Sequence, residues 1–268
     1  MVRIFILYIL LSHLAEAGNG QGYYKVALNE LNSDSVNFNK VIDLFSISIK
    51  HHDQLAKSHM YRGVAETYLG KFKDAESDLD TSLTLDSVNP KIYFNIGNLF
   101  LVEGNYPKAE IYLNLSIHKD PKDPDTYGKR AICRGMLKNF TGAIEDDSKA
   151  IELDPKNCDY YADRGFSKAQ LKRFTEALED FTSSIKVEPN QKAYANRGLL
   201  YQTFKNYPQA INDYTSSLSL SPNDPFILYE RGLCYMAINE NKAGCLDFTN
   251  SARLGYDEAK NKLETSCK

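Results

Sequence analysis

Residues 125–155 read DTYGKRAICRGMLKNFTGAIEDDSKAIELDP and contain one complete structural unit of this chain. Apolar or small residues fall at helical spacing from Tyr127 to Leu137, and again from Thr141 to Leu153. A short polar turn, residues 138–140, separates the two segments. Pro155 follows the second segment, where proline can neither continue a helix nor leave its preceding residue helical. The unit is therefore predicted to be a helix, a tight turn, a second helix and a polar link.

The pattern recurs every 34 residues, with one interval of 33. Four kinds of residue keep this register: a small residue in the first helix, an aromatic at the turn, an alanine in the second helix and a proline after it. They are Gly63, Gly97, Ala131, Gly165, Gly198 and Gly232; Phe72, Tyr106, Phe140, Phe174 and Tyr207; Ala75, Ala109, Ala143, Ala177 and Ala210; and Pro121, Pro155, Pro189 and Pro222. Units of this length bury their apolar faces only against their neighbours, so we expect function to reside on a surface.

These columns resemble the tetratricopeptide repeat, whose signature is an aromatic, Gly and an aromatic early in the unit, then Ala, an aromatic and Pro. The third repeat carries Tyr127, Ala131, Phe140, Ala143 and Pro155, and the fifth carries Tyr194, Gly198, Tyr201, Tyr207, Ala210, Tyr214 and Pro222. The resemblance covers residues 56–255, about six units. It implies an all-α, right-handed superhelical solenoid of stacked helix-turn-helix repeats. Gly244 replaces the expected alanine of the last unit, which suggests relaxed packing in an end repeat.

The two ends of the chain differ from the repeats. Residues 1–17 combine a basic start, an apolar run from Ile4 to Leu11 and a small-x-small pattern ending at Ala17, which is the layout of a secretory signal peptide. An uncleaved membrane anchor is the alternative, although the run is shorter than a spanning helix requires. Residues 18–55 are predicted to be a degenerate N-terminal repeat and residues 256–268 a C-terminal capping helix. The mature protein is expected to be extracytoplasmic, either periplasmic or secreted.

The C-terminal end resembles the cysteine-containing caps of exported bacterial repeat proteins. Cys245 and Cys267 bracket this cap, and an exported chain meets oxidising conditions, so a disulfide between them is predicted. Cys234 with Cys245 is the competing pair. Cys133 and Cys234 occupy the same column three repeats apart and are expected to pack as small core residues.

Composition and motifs exclude several classes of function. The chain has 32 basic and 35 acidic residues and a net charge of −3, so it shows neither the clustered basic footprint of nucleic-acid binding nor a polybasic membrane patch. His51, His52, Asp53 and His59 form the one local cluster of metal-ligand types, but their spacing fits no zinc motif, and a solvated helix end explains them. No phosphate loop or nucleophile elbow occurs. No catalytic residue, metal or cofactor is therefore predicted.

A ladder of opposite charges follows the repeats. An arginine beside the small residue of the first helix is matched, sixteen residues later, by an aspartate in the second helix. The pairs are Arg62 and Asp78, Arg130 and Asp146, Arg164 and Asp180, Arg197 and Asp213, and Arg231 and Asp247. Repeat two lacks both members, with Ile96 and Tyr112 instead, which favours pairing within one hairpin. Independent solvated charges are the alternative. In either case the ladder is structural.

The concave face formed by the first helices is predicted to be a predominantly apolar groove that binds a partner. The residues predicted to contact this partner are Phe94, Leu101, Ile132, Met136, Phe166, Leu199, Tyr229 and Met236, and Met60 lies on the same helical face. Small residues at Gly128, Gly135, Ala162, Ala169 and Ala195 widen its middle, which points to repeats three to five. Repeats of this family that hold the acidic C-terminus of cytosolic chaperones use Lys and Asn, which are absent from the corresponding places here. The groove suits an amphipathic helix or an extended apolar peptide.

The sequence thus predicts a non-catalytic scaffold for protein–protein interaction, with a protein or peptide partner and no nucleic acid or inserted membrane segment after signal cleavage. A self-assembling structural role, as a homo-oligomer, is the alternative. An enzyme or metal-binding accessory protein is a distant third.

Overall fold

The computed structural model describes residues 22–267, which form fifteen α-helices and no strand. The predicted signal segment, residues 1–17, lies outside this range. In chain order the helices are α1 Gly22–Leu31, α2 Phe38–Lys50, α3 Leu55–Tyr68, α4 Phe72–Leu85, α5 Pro90–Glu103, α6 Tyr106–Lys119, α7 Pro124–Met136, α8 Phe140–Leu153, α9 Cys158–Gln170, α10 Phe174–Val187, α11 Gln191–Thr203, α12 Tyr207–Leu220, α13 Pro225–Ala237, α14 Asn241–Arg253 and α15 Asp257–Ser266.

The helices belong to two compact units, which divide between Leu137 and Lys138. In unit 1 the helices α1 and α2, α3 and α4, and α5 and α6 pack as pairs, and α7 follows. In unit 2 the pairs are α9 with α10, α11 with α12 and α13 with α14, with α8 before them and α15 after them. The first helices of neighbouring repeats also touch: α5 contacts α3 and α7, and α11 contacts α9 and α13. The prediction of an all-helical fold built from consecutive helix pairs is confirmed.

Local sequence sets where the helices begin and end. Asn89 and Asn157 cap α5 and α9, and each side chain accepts a hydrogen bond from a backbone N–H of the first turn. Gly104 ends α5 in the left-handed conformation, with φ of 89°. Lys172 takes the equivalent place after α9 with φ of 60°, a conformation that costs a lysine more than a glycine. Capping side chains therefore begin these first helices after the polar links, and left-handed residues end them at the turns between paired helices.

The glycine of the first helix has a packing role. A Cβ atom added to Gly165 would lie 2.8 Å from the ring of Phe181, and one on Gly198 would lie 2.8 Å from the ring of Tyr214. Gly244 shows equally close contact, because a Cβ atom there would lie 3.0 Å from the carbonyl oxygen of Gly232. The prediction of relaxed packing at Gly244 is therefore wrong: the last hairpin needs glycine on both helices.

Replacing Gly198 with alanine should destabilise the protein by about 1–3 kcal/mol, since the added methyl group meets the fully buried Tyr214 ring. Gly135 provides the matched control, because it is also helical and no atom lies within 4 Å of the place that an added methyl group would take. Gly135→Ala should stabilise the protein by about 0.5–1 kcal/mol through helix propensity. Urea unfolding measures both changes. Equal effects of the two substitutions would contradict the packing role.

Candidate functional site

Four of the five predicted ladder pairs form inside single hairpins. Arg164 donates from Nε to Asp180 Oδ2 at 2.9 Å and from Nη2 to Asp180 Oδ1 at 2.7 Å. The same two-bond contact joins Arg62 to Asp78, Arg197 to Asp213 and Arg231 to Asp247. These aspartates are buried, so each pair is a charge-assisted, geometrically fixed contact rather than a solvated one.

Arg130 and Asp146 belong to different units. In unit 1, Arg130 Nη1 donates to Asn114 Oδ1 at 2.7 Å. In unit 2, Asp146 is buried in α8.

Each ladder arginine also reaches the preceding repeat, a contact that the sequence reasoning missed. Nη1 of Arg62 donates to Ser46 Oγ at 3.0 Å, and Nη1 of Arg164 donates to Ser148 Oγ at 3.2 Å. Thr182 and Thr215 accept in the same way from the arginines of the next two repeats. Repeat two has Ile96 in the arginine column, and the preceding repeat has Asp80 in place of the acceptor. The arginines therefore tie neighbouring hairpins together as well as closing their own.

A column of serines adds a second structural contact. Ser82 Oγ donates to the carbonyl oxygen of Ala56 at 2.7 Å, which joins the second helix of a hairpin to the start of its first helix. The same bond is formed by Ser116, Ser184, Ser217 and Ser251 in their own repeats. Their regular spacing is visible in the sequence, but serine is not part of the repeat signature.

The histidine cluster is partly buried and structural. His59 Nδ1 lies 2.9 Å from Asp78 Oδ1, so it joins the first pair of the ladder. Asp53 is buried, and its Oδ2 accepts a hydrogen bond from the backbone N–H of Tyr24 at 2.9 Å. The interpretation of this cluster as a solvated helix end is therefore wrong for His59 and Asp53. Across residues 22–267, no group of three or more His, Cys, Asp or Glu side chains is arranged to hold a metal ion.

A disulfide joins Cys245 in α14 to Cys267 at the end of α15, with Cα atoms 5.7 Å apart. The competing Cys234 is buried and carries a free thiol, and Cys133 is likewise buried. Burial raises the pKa of the Cys234 thiol to about 12, so it is not a nucleophile near neutral pH. The bridge attaches the capping helix to the last hairpin.

The residues predicted to contact a partner differ in exposure. In unit 1, Met136 is 56% exposed and Ile132 is 37% exposed, whereas Phe94 and Leu101 are half-buried against the core. In unit 2, Phe166 is 41% exposed, and Leu199, Tyr229 and Met236 are half-buried. Tyr229 also packs against Tyr256, which precedes the capping helix. Three of the eight side chains are therefore available to a partner over more than a third of their surface.

Some residues assigned to the open groove are in the core instead. Met60 is 2% exposed and belongs to the hydrophobic cluster of unit 1. Gly128, Ala162 and Ala195 are also buried. Buried small side chains allow neighbouring residues to pack closely and do not widen a surface. These three residues therefore do not support a partner-binding site in repeats three to five.

A cavity of about 530 Å³ lies on the first-helix side of unit 1. Its apolar lining includes Tyr61 and Phe94, and its polar lining includes Lys91 and Asn95 from α5. The remaining lining residues are Met60, Pro90, Ser116, Asp120, Lys122, Asp123, Pro124 and Asp125. The lining is therefore more polar than the predominantly apolar groove that the sequence predicts.

Asp147 of α8 is a buried acid in an apolar column. The equivalent residues of the other repeats are Leu79, Leu113, Phe181, Tyr214 and Phe248. Asp147 is 1% exposed, and neither carboxylate oxygen has a hydrogen-bond partner within residues 22–267. Burial, and next the negative charges of Asp163 and Asp146, raise the pKa of this carboxyl to about 9. Asp147 is therefore protonated at neutral pH in the folded protein.

This group should make stability depend on pH. Its pKa is about 9 when folded and about 4 when unfolded. Between these values only the folded state binds the proton, so stability is highest at the acid end and falls as pH rises, by at most about 1.4 kcal/mol per pH unit. Asp147→Asn should remove this slope in urea unfolding at several pH values. Asp257→Asn, at an exposed carboxyl whose pKa Lys260 lowers, is the control. A slope that Asp147→Asn leaves unchanged would contradict the assignment.

No helix within residues 22–267 is both long and apolar enough to cross a membrane.

Comparison with known proteins identifies the repeat type in two stretches of this chain. Two family models, both described as tetratricopeptide repeat, match residues 62–124 and residues 191–224. The chain is similar to stress-induced-phosphoprotein 1 of Caenorhabditis elegans, with 32% identity over 79 residues. That alignment covers 28% of this chain and 25% of the relative, so the chain matches about a quarter of the relative's length. This chain therefore carries tetratricopeptide repeats, and proteins built from them generally mediate protein–protein interaction.

Solved structures share the fold. The APC/C hetero-tetramer Cut9-Hcn1 matches with a TM-score of 0.74 and 17% identity, over 87% of this chain and 46% of that one. Pseudomonas aeruginosa pilF matches with a TM-score of 0.70 and 14% identity, over 78% and 98%. YrrB, a TPR protein with an unusual peptide-binding site, matches with a TM-score of 0.54 and 19% identity, over 69% and 95%. Identities this low establish a common fold alone.

Proposed function

We propose that this chain is a non-catalytic scaffold that binds a protein or peptide partner on the face formed by its first helices. The observation that carries this proposal is the exposure of a large apolar side chain on the first helices of each unit, Met136 in unit 1 and Phe166 in unit 2. Such exposed apolar residues are typical of interaction surfaces. YrrB, which is described as having a peptide-binding site, shows that the fold can present one.

The polar side chains that hold the hairpins together support this division of roles. Ladder arginines, aspartates and serines are occupied by contacts within and between repeats, as Arg164 and Ser184 illustrate. They leave the exposed face of the first helices without a structural task. A partner can therefore bind there without disturbing the contacts that stabilise the fold.

We also propose that residues 1–17 direct export and that the mature protein works in the periplasm or outside the cell, without inserting into a membrane. The Cys245–Cys267 disulfide supports this proposal, because such bridges persist in oxidising compartments. Sequencing the N-terminus of the protein recovered from its native host tests it. A mature terminus near Gly18 is expected, and an intact Met1 on cytoplasmic protein would refute export.

Substitution of exposed residues tests the binding face. Met136→Asp and Phe166→Asp should each reduce capture of the dominant native partner by about tenfold, since a charge placed in an apolar contact is costly. Ile111→Asp and Leu246→Asp are matched controls, because these residues are 58% and 61% exposed on second helices. Circular dichroism checks that all four variants fold. If the controls lose capture of the partner and the first-helix variants keep it, the partner binds elsewhere. If the only protein captured is a further copy of this chain, the self-assembling role is favoured instead.

A further inference from the structure

The exposed face of each first helix is defined by three places in the repeat. In α5 they are Lys91, Asn95 and Val102. Asn95 lies four residues after Lys91, and Val102 lies eleven residues after it. This spacing returns to the same side of an α-helix, so the three side chains share one stripe. Lys91 and Asn95 also line the cavity of unit 1. The corresponding stripes of α3 and α7 lie beside it, because both helices contact α5.

One edge of this face in unit 1 is an apolar row. Tyr68, Val102 and Met136 stand 34 residues apart and are 67%, 55% and 56% exposed. Large apolar side chains are rarely left so exposed at the same place of three successive repeats without a partner. The row lies at the ends of α3, α5 and α7.

The other side of the same face carries three lysines. Lys57, Lys91 and Lys129 lie on α3, α5 and α7, seven to eleven residues before the apolar row. Among the described residues, none of their three ammonium groups has a hydrogen-bond or ion-pair partner. Asp125 is the one carboxylate at the equivalent places of these helices. We call these three lysines together with Tyr68, Val102 and Met136 the lysine–apolar face.

Unit 2 shows that this combination is not a general property of the repeat. Its places equivalent to the apolar row hold Gln170, Thr203 and Ala237. Its places equivalent to the charged side hold Asp159, Asp163, Lys192, Asn196, Phe226 and Glu230. Lys192 is paired there with Asp163. Net charge at these places is thus positive in unit 1 and negative in unit 2.

We infer, building on the proposed function, that the lysine–apolar face binds an acidic amphipathic segment of a partner protein. The apolar side chains of that segment pack on Tyr68, Val102 and Met136. Carboxylates on its flank face the lysines, which adds attraction and selects against basic segments. The lysines contact side-chain carboxylates along the segment, so a free C-terminal carboxylate is not required.

A pair of synthetic peptides tests this inference with the full chain. Both place leucines at helical spacing, and they carry either glutamates or lysines on the flank. Fluorescence anisotropy should show binding of the glutamate peptide, with affinity that falls as salt rises, and at least about tenfold weaker binding of the lysine peptide. Amidating the C-terminus of the glutamate peptide should leave its affinity unchanged. Equal binding of the two peptides, or binding of neither, would overturn the inference.

Two pairs of variants test the preference for an acidic segment separately from the proposed binding face of the first helices. Lys91→Glu should weaken binding of the glutamate peptide by about threefold to tenfold, whereas Lys73→Glu, on the second helix α4, should not. Val102→Asp should weaken both peptides, and Ile111→Asp neither. If Val102→Asp weakens binding while Lys91→Glu matches Lys73→Glu, the first-helix face binds without the charge preference, and only the inference fails. If Val102→Asp and Ile111→Asp behave alike, the proposed binding face of unit 1 fails with it.

Discussion

Replacing Asp180 with alanine should destabilise the protein by about 3 kcal/mol, because it strands two cations in a poorly solvated site. The carboxylate accepts from Arg164 and also lies 2.7 Å from Lys168 Nζ. The side chains of Asp180, Arg164 and Lys168 are 5%, 19% and 11% exposed. Water therefore cannot replace the lost carboxylate fully. Urea unfolding of the full chain measures the change.

An exposed ion pair supplies the control for this prediction. Lys260 and Asp257 lie 2.7 Å apart, but their side chains are 56% and 82% exposed. Asp257→Ala should therefore cost much less stability than Asp180→Ala. If Asp180→Ala proved equally mild, the ladder would be a row of solvated charges, and its structural role would be wrong.

Removing the disulfide should have an effect of similar size. The bridge closes a loop with a sequence separation of 22 residues, and the chain-entropy model gives about 3 kcal/mol for such a loop. The double variant Cys245→Ser, Cys267→Ser should lose this stability, and amides of α15 should exchange faster. Cys158→Ser, at a free and half-buried cysteine, is the control. Unchanged exchange in α15 would show that the cap is held without the bridge, and two free thiols in exported protein would show that the bridge does not form.

Periodic signals in the sequence were sufficient to predict the helix pairs. The helix predicted from Thr141 to Leu153 begins one residue earlier in the structure, and the helix predicted from Tyr127 to Leu137 begins at Pro124 and ends at Met136. The capping helix, predicted within residues 256–268, runs from Asp257 to Ser266. Helical periodicity, proline and glycine report on local structure, which is why they locate these elements closely.

Contacts between repeats were harder to predict than the repeats themselves. The residue that accepts a hydrogen bond from the arginine Nη1 is Ser46, Asn114 or Thr182 in different repeats. No single residue type therefore marks this column. The exposure of Met136 and the burial of Met60 also depend on packing against neighbouring helices. Sequence spacing identifies a helical side, but it does not say how much of that side the next repeat covers.

Some informative features were visible in the sequence without being used. Asp147 interrupts an apolar column, and a comparison of columns for polarity would have found it. The lysines at Lys57 and Lys91 keep the repeat spacing as clearly as the glycines do. The prediction of an apolar groove gave weight to large apolar residues alone, so the charge on the same face was overlooked.

Site-specific photo-crosslinking in the native host is the most direct test of the claim that the first helices form the binding face. A photoreactive residue at Met136 and one at Ile111 differ mainly in which helix of the repeat they occupy, since both side chains are more than half exposed. We expect the probe at Met136 to crosslink a partner protein and the probe at Ile111 to give none. A crosslink to the same partner from Ile111, with none from Met136, would place binding on the second helices and contradict the proposed function.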